Sequence, residues 1–147
     1  MTSRRNNMKK IAIMGARGFV GKALTAHLQD KYTVYPITRE QFSLLDEQAV
    51  TEFFEKENID VVFHCANQGG SRKTGYDVAA PDVIGNNLKM FFNMERCLKD
   101  GMKLINFGSG AQYNKARDLV KVKEDTIGTV IPKDDYGYSK YVMSEYL

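Results

Sequence analysis

The stretch from Lys9 to Lys31 constrains the fold more than any other part of the chain. Lys9 to Gly15 (KKIAIMG) is a short apolar run cut off by glycine, and Phe19 to Lys31 then places Val20, Leu24 and Leu28 on one helical stripe. Strand, tight turn and amphipathic helix follow one another directly. Such a unit needs a second strand parallel to the first, and Thr33 to Thr38 (TVYPIT) is the β-branched and aromatic run that supplies it. Pro36 removes one ladder donor there.

The same alternation runs on. Phe42 to Leu45 reads as a very short third strand at an edge. Asp46 then has the chemistry of an N-cap for a helix through about Glu57, with Val50, Phe53 and Phe54 inward. Asp60 to Ala66 (DVVFHCA) is a buried-strand run. Residues 67 to 82 are polar and contain glycines, and a loop that long is expected to have a function, which makes it a candidate binding loop. A helix from Val83 to about Lys99 carries Leu88, Phe91, Phe92, Met94 and Leu98, stopping at Asp100-Gly101. Lys103 to Ser109 is the last strand, and after a polar loop a final helix starts near Asp134-Asp135.

Regular alternation of strands and helices argues for an α/β fold with a parallel sheet covered on both faces. Right-handed crossovers leave few arrangements. The expected one is a Rossmann-type doubly wound sheet, order 3-2-1-4-5, in three layers. Residues 1–7 read as a disordered polar leader and residues 8–147 as one dinucleotide-binding domain. The last helix is still periodic at Leu147 and has no stop signal, so the natural chain is expected to continue into a further domain.

Composition narrows the function classes. With 147 residues, 43% hydrophobic and 27% charged, the chain can bury a core without staples. Of the 21 Lys and Arg residues, four fall in the first ten positions, where no acid occurs, so the remaining 17 face 18 acids. No basic patch for nucleic acid is indicated in the folded part. Cys65 and Cys97 show no ligand spacing, so neither a metal site nor a disulfide framework is expected. They read as small buried hydrophobes. No apolar run spans a bilayer and no signal-peptide pattern is present, which makes the cytoplasm the expected compartment. His27, His64, Tyr138, Tyr141 and Tyr146 read as structural or packing residues.

Three motifs carry chemistry. Gly15-Ala-Arg-Gly18-Phe-Val-Gly21 is GxxGxxG between a strand and a helix, where the first glycine permits the turn, the second admits a pyrophosphate and the third allows close helix packing. The helix N-terminus then favours the phosphates. At the end of the second strand, where an acid would grip a ribose 2′-hydroxyl, stand Thr38 and Arg39. With Arg17 as a second guanidinium, NADP is expected over NAD. Tyr136 and Lys140 lie one helical turn apart on one face, where an ammonium favours the phenolate of a proton-transferring phenol. Ser109 ends a strand at the carboxyl edge of the sheet, where such folds bind ligands.

With GARGFVG, FGSGAQY and YGYSK in this order, the chain resembles the extended short-chain dehydrogenase/reductases, the NAD-dependent epimerase/dehydratases of nucleotide sugars. The segment TREQFSLLDEQAVTEFFEKENIDVVFHCA with Gly69-Gly70 is most similar to GDP-L-fucose synthases and dTDP-4-dehydrorhamnose reductases, which reduce 4-keto sugars with NADPH. The resemblance implies Tyr136 as acid/base, Ser109 orienting the sugar carbonyl, and Lys140 holding the nicotinamide ribose. It implies a cofactor site of Gly15, Arg17, Gly18, Phe19, Val20, Gly21, Arg39, Asp46, Ala66, Asn87 and Lys140, with Asp46 on adenine, Ala66 passing the cofactor and Asn87 facing the site. Fucose synthases carry an acid/base cysteine where this chain has Ala111, so C3/C5 epimerisation by that route is not expected. A nucleotide-sugar substrate and a homodimer through the helices near 83 to 99 and 135 to 147 are implied too. A dinucleotide-binding module without turnover is the alternative reading.

Overall fold

A computed structural model describes residues 8–70, 81–116 and 119–147. The leader at 1–7 and positions 71–80 of the candidate loop lie outside these. The chain divides into two compact units, one of Met1–Ala66 with Lys89–Phe107, the other of Asn67–Leu88 with Gly108–Leu147.

The first unit holds a parallel sheet. Its strands are β1 (Lys10–Met14), β2 (Thr33–Ile37), β3 (Val61–His64) and β4 (Lys103–Asn106), in the order β2-β1-β3-β4. Helix α1 (Phe19–Leu28) joins β1 to β2, α2 (Glu47–Lys56) joins β2 to β3, and α3 (Val83–Glu95) lies between β3 and β4. The step from β1 to β2 runs one way along the sheet and both later steps run the other. Right-handed crossovers therefore put α1 on one face and α2 and α3 on the opposite one. The side chains agree. Ile11 and Ile13 pack with Leu24 and Leu28 of α1, whereas Tyr35 meets Phe53 of α2 edge-on at 5.9 Å and His64 lies 5.9 Å from Phe91 of α3. Buried Ala12, Met14, Val62 and His64 form the second face's floor. This is the doubly wound, three-layer arrangement that the alternation implies. Pro36 is tolerated because β2 is an edge strand.

The observed order is the expected one without its outermost strand. Phe42 to Leu45 form no strand, because local turns use their donors: the Phe42 N–H points to the Thr38 carbonyl at 3.4 Å, and the Leu45 N–H donates to Ser43 Oγ at 3.2 Å. The apolar side chains serve the helix layer instead. Phe42 packs on Phe53 at 5.5 Å, and the carbonyl of buried Leu44 accepts from Asn93 Nδ2 at 3.0 Å.

Asp46 does cap α2, its Oδ1 accepting from the Ala49 N–H at 3.1 Å. Helix α3 stops earlier than its apolar spacing suggests. Tighter turns close Cys97 onto Met94 and Leu98 onto Glu95, and Gly101 supplies a left-handed φ of +86° beyond them. Cys65 and Cys97 are half-buried rather than fully buried. Both lie at element ends.

In the second unit, α4 (Asp135–Tyr146) is capped by Asp134, whose Oδ1 accepts from the Gly137 N–H at 2.9 Å. It packs on a 3-10 turn at Gly110–Gln112. A Cβ on buried Gly137 would stand 2.5 Å from the Ala111 carbonyl oxygen, and Ser144 Oγ lies 2.9 Å from Gln112 Oε1. Tyr138 and Tyr146 are exposed, contrary to their reading as packing residues, while Tyr141 is half-buried near Gly128. The helix buries Gly137, Ser139, Lys140 and Met143 and needs no more aromatic surface. No helix among the described residues is long and apolar enough to cross a membrane.

Candidate functional site

The glycine turn belongs to the first unit. Gly15 leaves β1 with φ +83°, and a Cβ there would lie 2.8 Å from the N and Cα of Ala66. The turn is tied to the end of β2: the N–H groups of Gly15 and Ala16 both donate to the Ile37 carbonyl, at 3.2 and 3.0 Å. Gly18 is the N-cap of α1, donates to the Gly15 carbonyl at 3.0 Å and brings no side chain to the cap. Gly21 is buried, and its Cβ would come within 2.7 Å of Ala16 Cα and still closer to the Gly15 carbonyl oxygen. Gly15 and Gly21 thus have a steric reason to be glycine.

The first turn of α1 carries no acid. A helix N-terminus with a glycine cap and no acid in its first turn suits a pyrophosphate. Phe19, 93% exposed, and Val20 flank this opening. Among the described residues, no cluster of three or more His, Cys, Asp or Glu side chains could hold a metal ion.

Arg17 and Arg39 are both exposed. Arg17 is nevertheless engaged: its guanidinium donates to the Glu40 carboxylate. Glu40 was not among the residues singled out by sequence. Its place beside Arg39, just past β2, was the available signal. Asp46 is exposed, and one of its carboxylate oxygens serves the helix cap.

Ser109, Asn87, Tyr136 and Lys140 belong to the second unit. Ser109 begins the 3-10 turn, its Oγ accepting from the Ala111 N–H at 3.2 Å. Tyr136 is half-buried in the first turn of α4. Lys140 is only 3% exposed, and its Nζ stands 5.8 Å from the centroid of the Tyr136 ring. The ammonium is thus buried one helical turn from the phenol.

Around this pair lies a network centred on Asn87, whose partners Gln68 and Ser139 the sequence did not mark. Buried Asn87 accepts from the Gln68 N–H at 2.7 Å and donates through Nδ2 to the Gln68 carbonyl at 3.0 Å and to Ser139 Oγ at 3.1 Å. Ser139 in turn donates to the Tyr136 carbonyl at 2.9 Å. Gly70 lies against the Tyr136 ring. A cleft of about 430 Å³ lined by Asn114, Lys115, Ala116, Lys133 and Asp134 contains none of the expected site residues.

A model of the NAD dependent epimerase/dehydratase family matches residues 11–147. The chain is 31% identical over 132 residues to the GDP-L-fucose synthase of Escherichia coli, covering 86% of this chain and 41% of that protein. Among solved structures, a GDP-D-glycero-L-gluco-heptose synthase from Campylobacter jejuni in the presence of NADPH is similar, with TM-score 0.79 and 27% identity over 93% of this chain and 41% of that one. A GDP-mannoheptose C4 reductase of the same organism with NADP bound is similar too, with TM-score 0.74 and 28% identity over the same shares. The chain spans about two fifths of the length of these relatives.

Proposed function

Because the chain belongs to the NAD dependent epimerase/dehydratase family, we propose that it holds NADP(H) on the Gly15 to Gly21 turn and serves the reduction of a nucleotide-linked keto sugar, with Tyr136 as acid/base. The observation that carries this reading is buried Lys140 one turn from Tyr136, in a chain that also forms the glycine turn. The turn suits the cofactor, since the first and third glycines admit no Cβ and no side chain caps the helix start.

When bound, the nicotinamide supplies hydride chemistry at a sugar carbon. The chain's own residues have distinct parts. Tyr136 passes a proton to the sugar oxygen, Ser109 donates a hydrogen bond to the same oxygen, and Lys140 binds the nicotinamide ribose. Gly15, Gly18 and Gly21 with the first turn of α1 hold the pyrophosphate, Phe19 and Val20 border it, Ala66 and Asn87 line the cofactor's path, and Asp46 meets the adenine. Arg17 and Arg39 select the 2′-phosphate. Ala111 offers no thiol for the epimerisation route of fucose synthases, which favours simple reduction. A homodimer through α3 and α4 in the cytoplasm completes the proposal, and light scattering of the purified chain tests the dimer.

The fluorescence of the reduced nicotinamide itself reports binding. We expect a lower Kd for NADPH than for NADH; equal or reversed affinities would remove the roles given to Arg17 and Arg39. Loss of NADPH absorbance with a 4-keto nucleotide sugar tests turnover in a protein that includes this chain. Normal turnover by Tyr136→Phe would sink the acid/base assignment.

A further inference from the structure

We propose that Gly70 is a positioning residue for Tyr136: its missing side chain lets the loop after β3 lie against the phenol and set the ring's rotamer. Gly70 has φ +72°, and a Cβ built on it would stand 2.6 Å from Cε1, 2.7 Å from Cζ and 2.8 Å from Cδ1 of Tyr136. These atoms form one edge of the ring, and Cζ bears the hydroxyl. Real Cβ atoms do not approach so closely, so any side chain at position 70 turns the ring or displaces the loop.

Within residues 67–70, Gln68 is poorly placed to yield. Both backbone groups of Gln68 are taken by Asn87, and Gln68 Oε1 accepts from Asn86 Nδ2 at 3.0 Å. Asn87 and Ser139 are 1% and 0% exposed, and Ser139 ends the chain of bonds on the carbonyl of Tyr136 itself. Gly70 is therefore keyed, through Gln68, Asn87 and Ser139, to the same residue whose ring it touches. The clamp fixes where the backbone of Tyr136 stands, and Gly70 fixes how far its ring can swing.

The inference rests on the reading of Tyr136 as acid/base for its importance. A phenol that exchanges a proton with a bound oxygen needs its hydroxyl at one place, and misplacement by about 1 Å can cost on the order of a hundredfold in rate. Lys140 lies beside this ring, and Gly70 acts only through its contact with the ring.

The test labels the chain with 3-fluorotyrosine and assigns the Tyr136 resonance by its loss in Tyr136→Phe. Gly70→Ala is expected to shift that resonance and leave the others in place. Gly101→Ala is the control, since Gly101 has φ +86° with nothing within 4 Å of its Cβ position, so it carries the backbone strain without the contact. It should lower the melting temperature and leave the Tyr136 signal unmoved. Should Gly70→Ala fail to fold, Asn87→Ala releases the loop without adding an atom and must move the same resonance.

An unmoved Tyr136 resonance in Gly70→Ala, or in Asn87→Ala where Gly70→Ala does not fold, or an equal shift in Gly101→Ala, overturns the proposal. The fluorine signal needs no turnover, so it can fail while the acid/base role of Tyr136 stands, and the Tyr136→Phe assay can fail while the contact stands. In a protein that turns over, Gly70→Ala should lower kcat at least about tenfold with KM for NADPH within about twofold.

Discussion

The guanidinium of Arg17, in the glycine turn, is held by the carboxylate of Glu40, just past the end of β2. Both side chains are more than two thirds exposed, so the pair is worth at most about 1 kcal/mol and salt weakens it. A 2′-phosphate bound by Arg17 has to displace Glu40 or share the guanidinium with it. The carboxylate would also repel that phosphate. We therefore expect Glu40→Gln to bind NADPH about fivefold more tightly, the ratio that 1 kcal/mol represents, and NADH little changed. The gain should shrink in high salt. Fluorescence titration at two ionic strengths checks this, and an unchanged NADPH affinity at low salt would separate Glu40 from cofactor choice.

Gly21→Ala tests the third glycine. A methyl group there would press on backbone, Ala16 Cα at 2.7 Å and the Gly15 carbonyl oxygen nearer still, and neither is the mobile end of a side chain. Overpacking of this kind costs about 1 to 3 kcal/mol. Relief can come only by moving α1 off β1 or by opening the turn. Either movement displaces the backbone donors of the turn, so NADPH binding should fall together with the urea midpoint. A variant with normal stability and normal affinity would show that the turn tolerates a side chain.

What could be read from sequence here was mostly local. The run Lys9 to Gly15 and the stripe Val20, Leu24 and Leu28 encode strand and helix because burial and period act within one element. Crossover handedness then orders the layers. The limits have the same origin. Phe42 to Leu45 carry enough apolar character for an edge strand, but Ser43 and Thr38 offer local partners that win over a ladder. Glu40 finds Arg17 only because β1 and β2 lie side by side. Gly70, Asn87, Ser139 and Tyr136 come from three separate stretches of chain, so no spacing rule could join them. Ser109, Tyr136 and Lys140 stood out because a family motif marks them. The resemblance marks Asn87 and Gly70 as well, but not Gln68 and Ser139, which link them to Tyr136.

Asp46 has two readings that one pair of variants separates. Its Oδ1 accepts from the Ala49 N–H, and removing such a cap costs about 1 kcal/mol, whereas asparagine caps about as well as aspartate. Asp46→Ala should therefore lower the unfolding free energy by about 1 kcal/mol, and Asp46→Asn should restore it within about 0.5 kcal/mol. If the second carboxylate oxygen also meets adenine, Asp46→Asn should weaken NADPH binding while stability is kept. Normal affinity in the folded asparagine variant would leave Asp46 as a cap only.

Asn87 gives the prediction with the clearest dependence on pH. Its amide nitrogen donates to the Gln68 carbonyl and to Ser139 Oγ, and its oxygen accepts from the Gln68 N–H. Asn87→Ala leaves three buried or half-buried groups without this partner, at a cost of about 2 kcal/mol or more. Asn87→Asp keeps the acceptor and loses both donors, so an ionised carboxylate would face the Gln68 carbonyl oxygen in a buried site. Burial and that oxygen both raise the introduced carboxyl above its unfolded value of about 3.9. A raised acid is favoured in its protonated form, so the stability of Asn87→Asp relative to the parent should be best in acid and be lost as pH rises through the folded titration. Urea unfolding of both proteins from pH 4 to pH 8 measures the difference. A gap that stays constant with pH, or narrows as pH rises, would mean that this side chain does not face the Gln68 carbonyl.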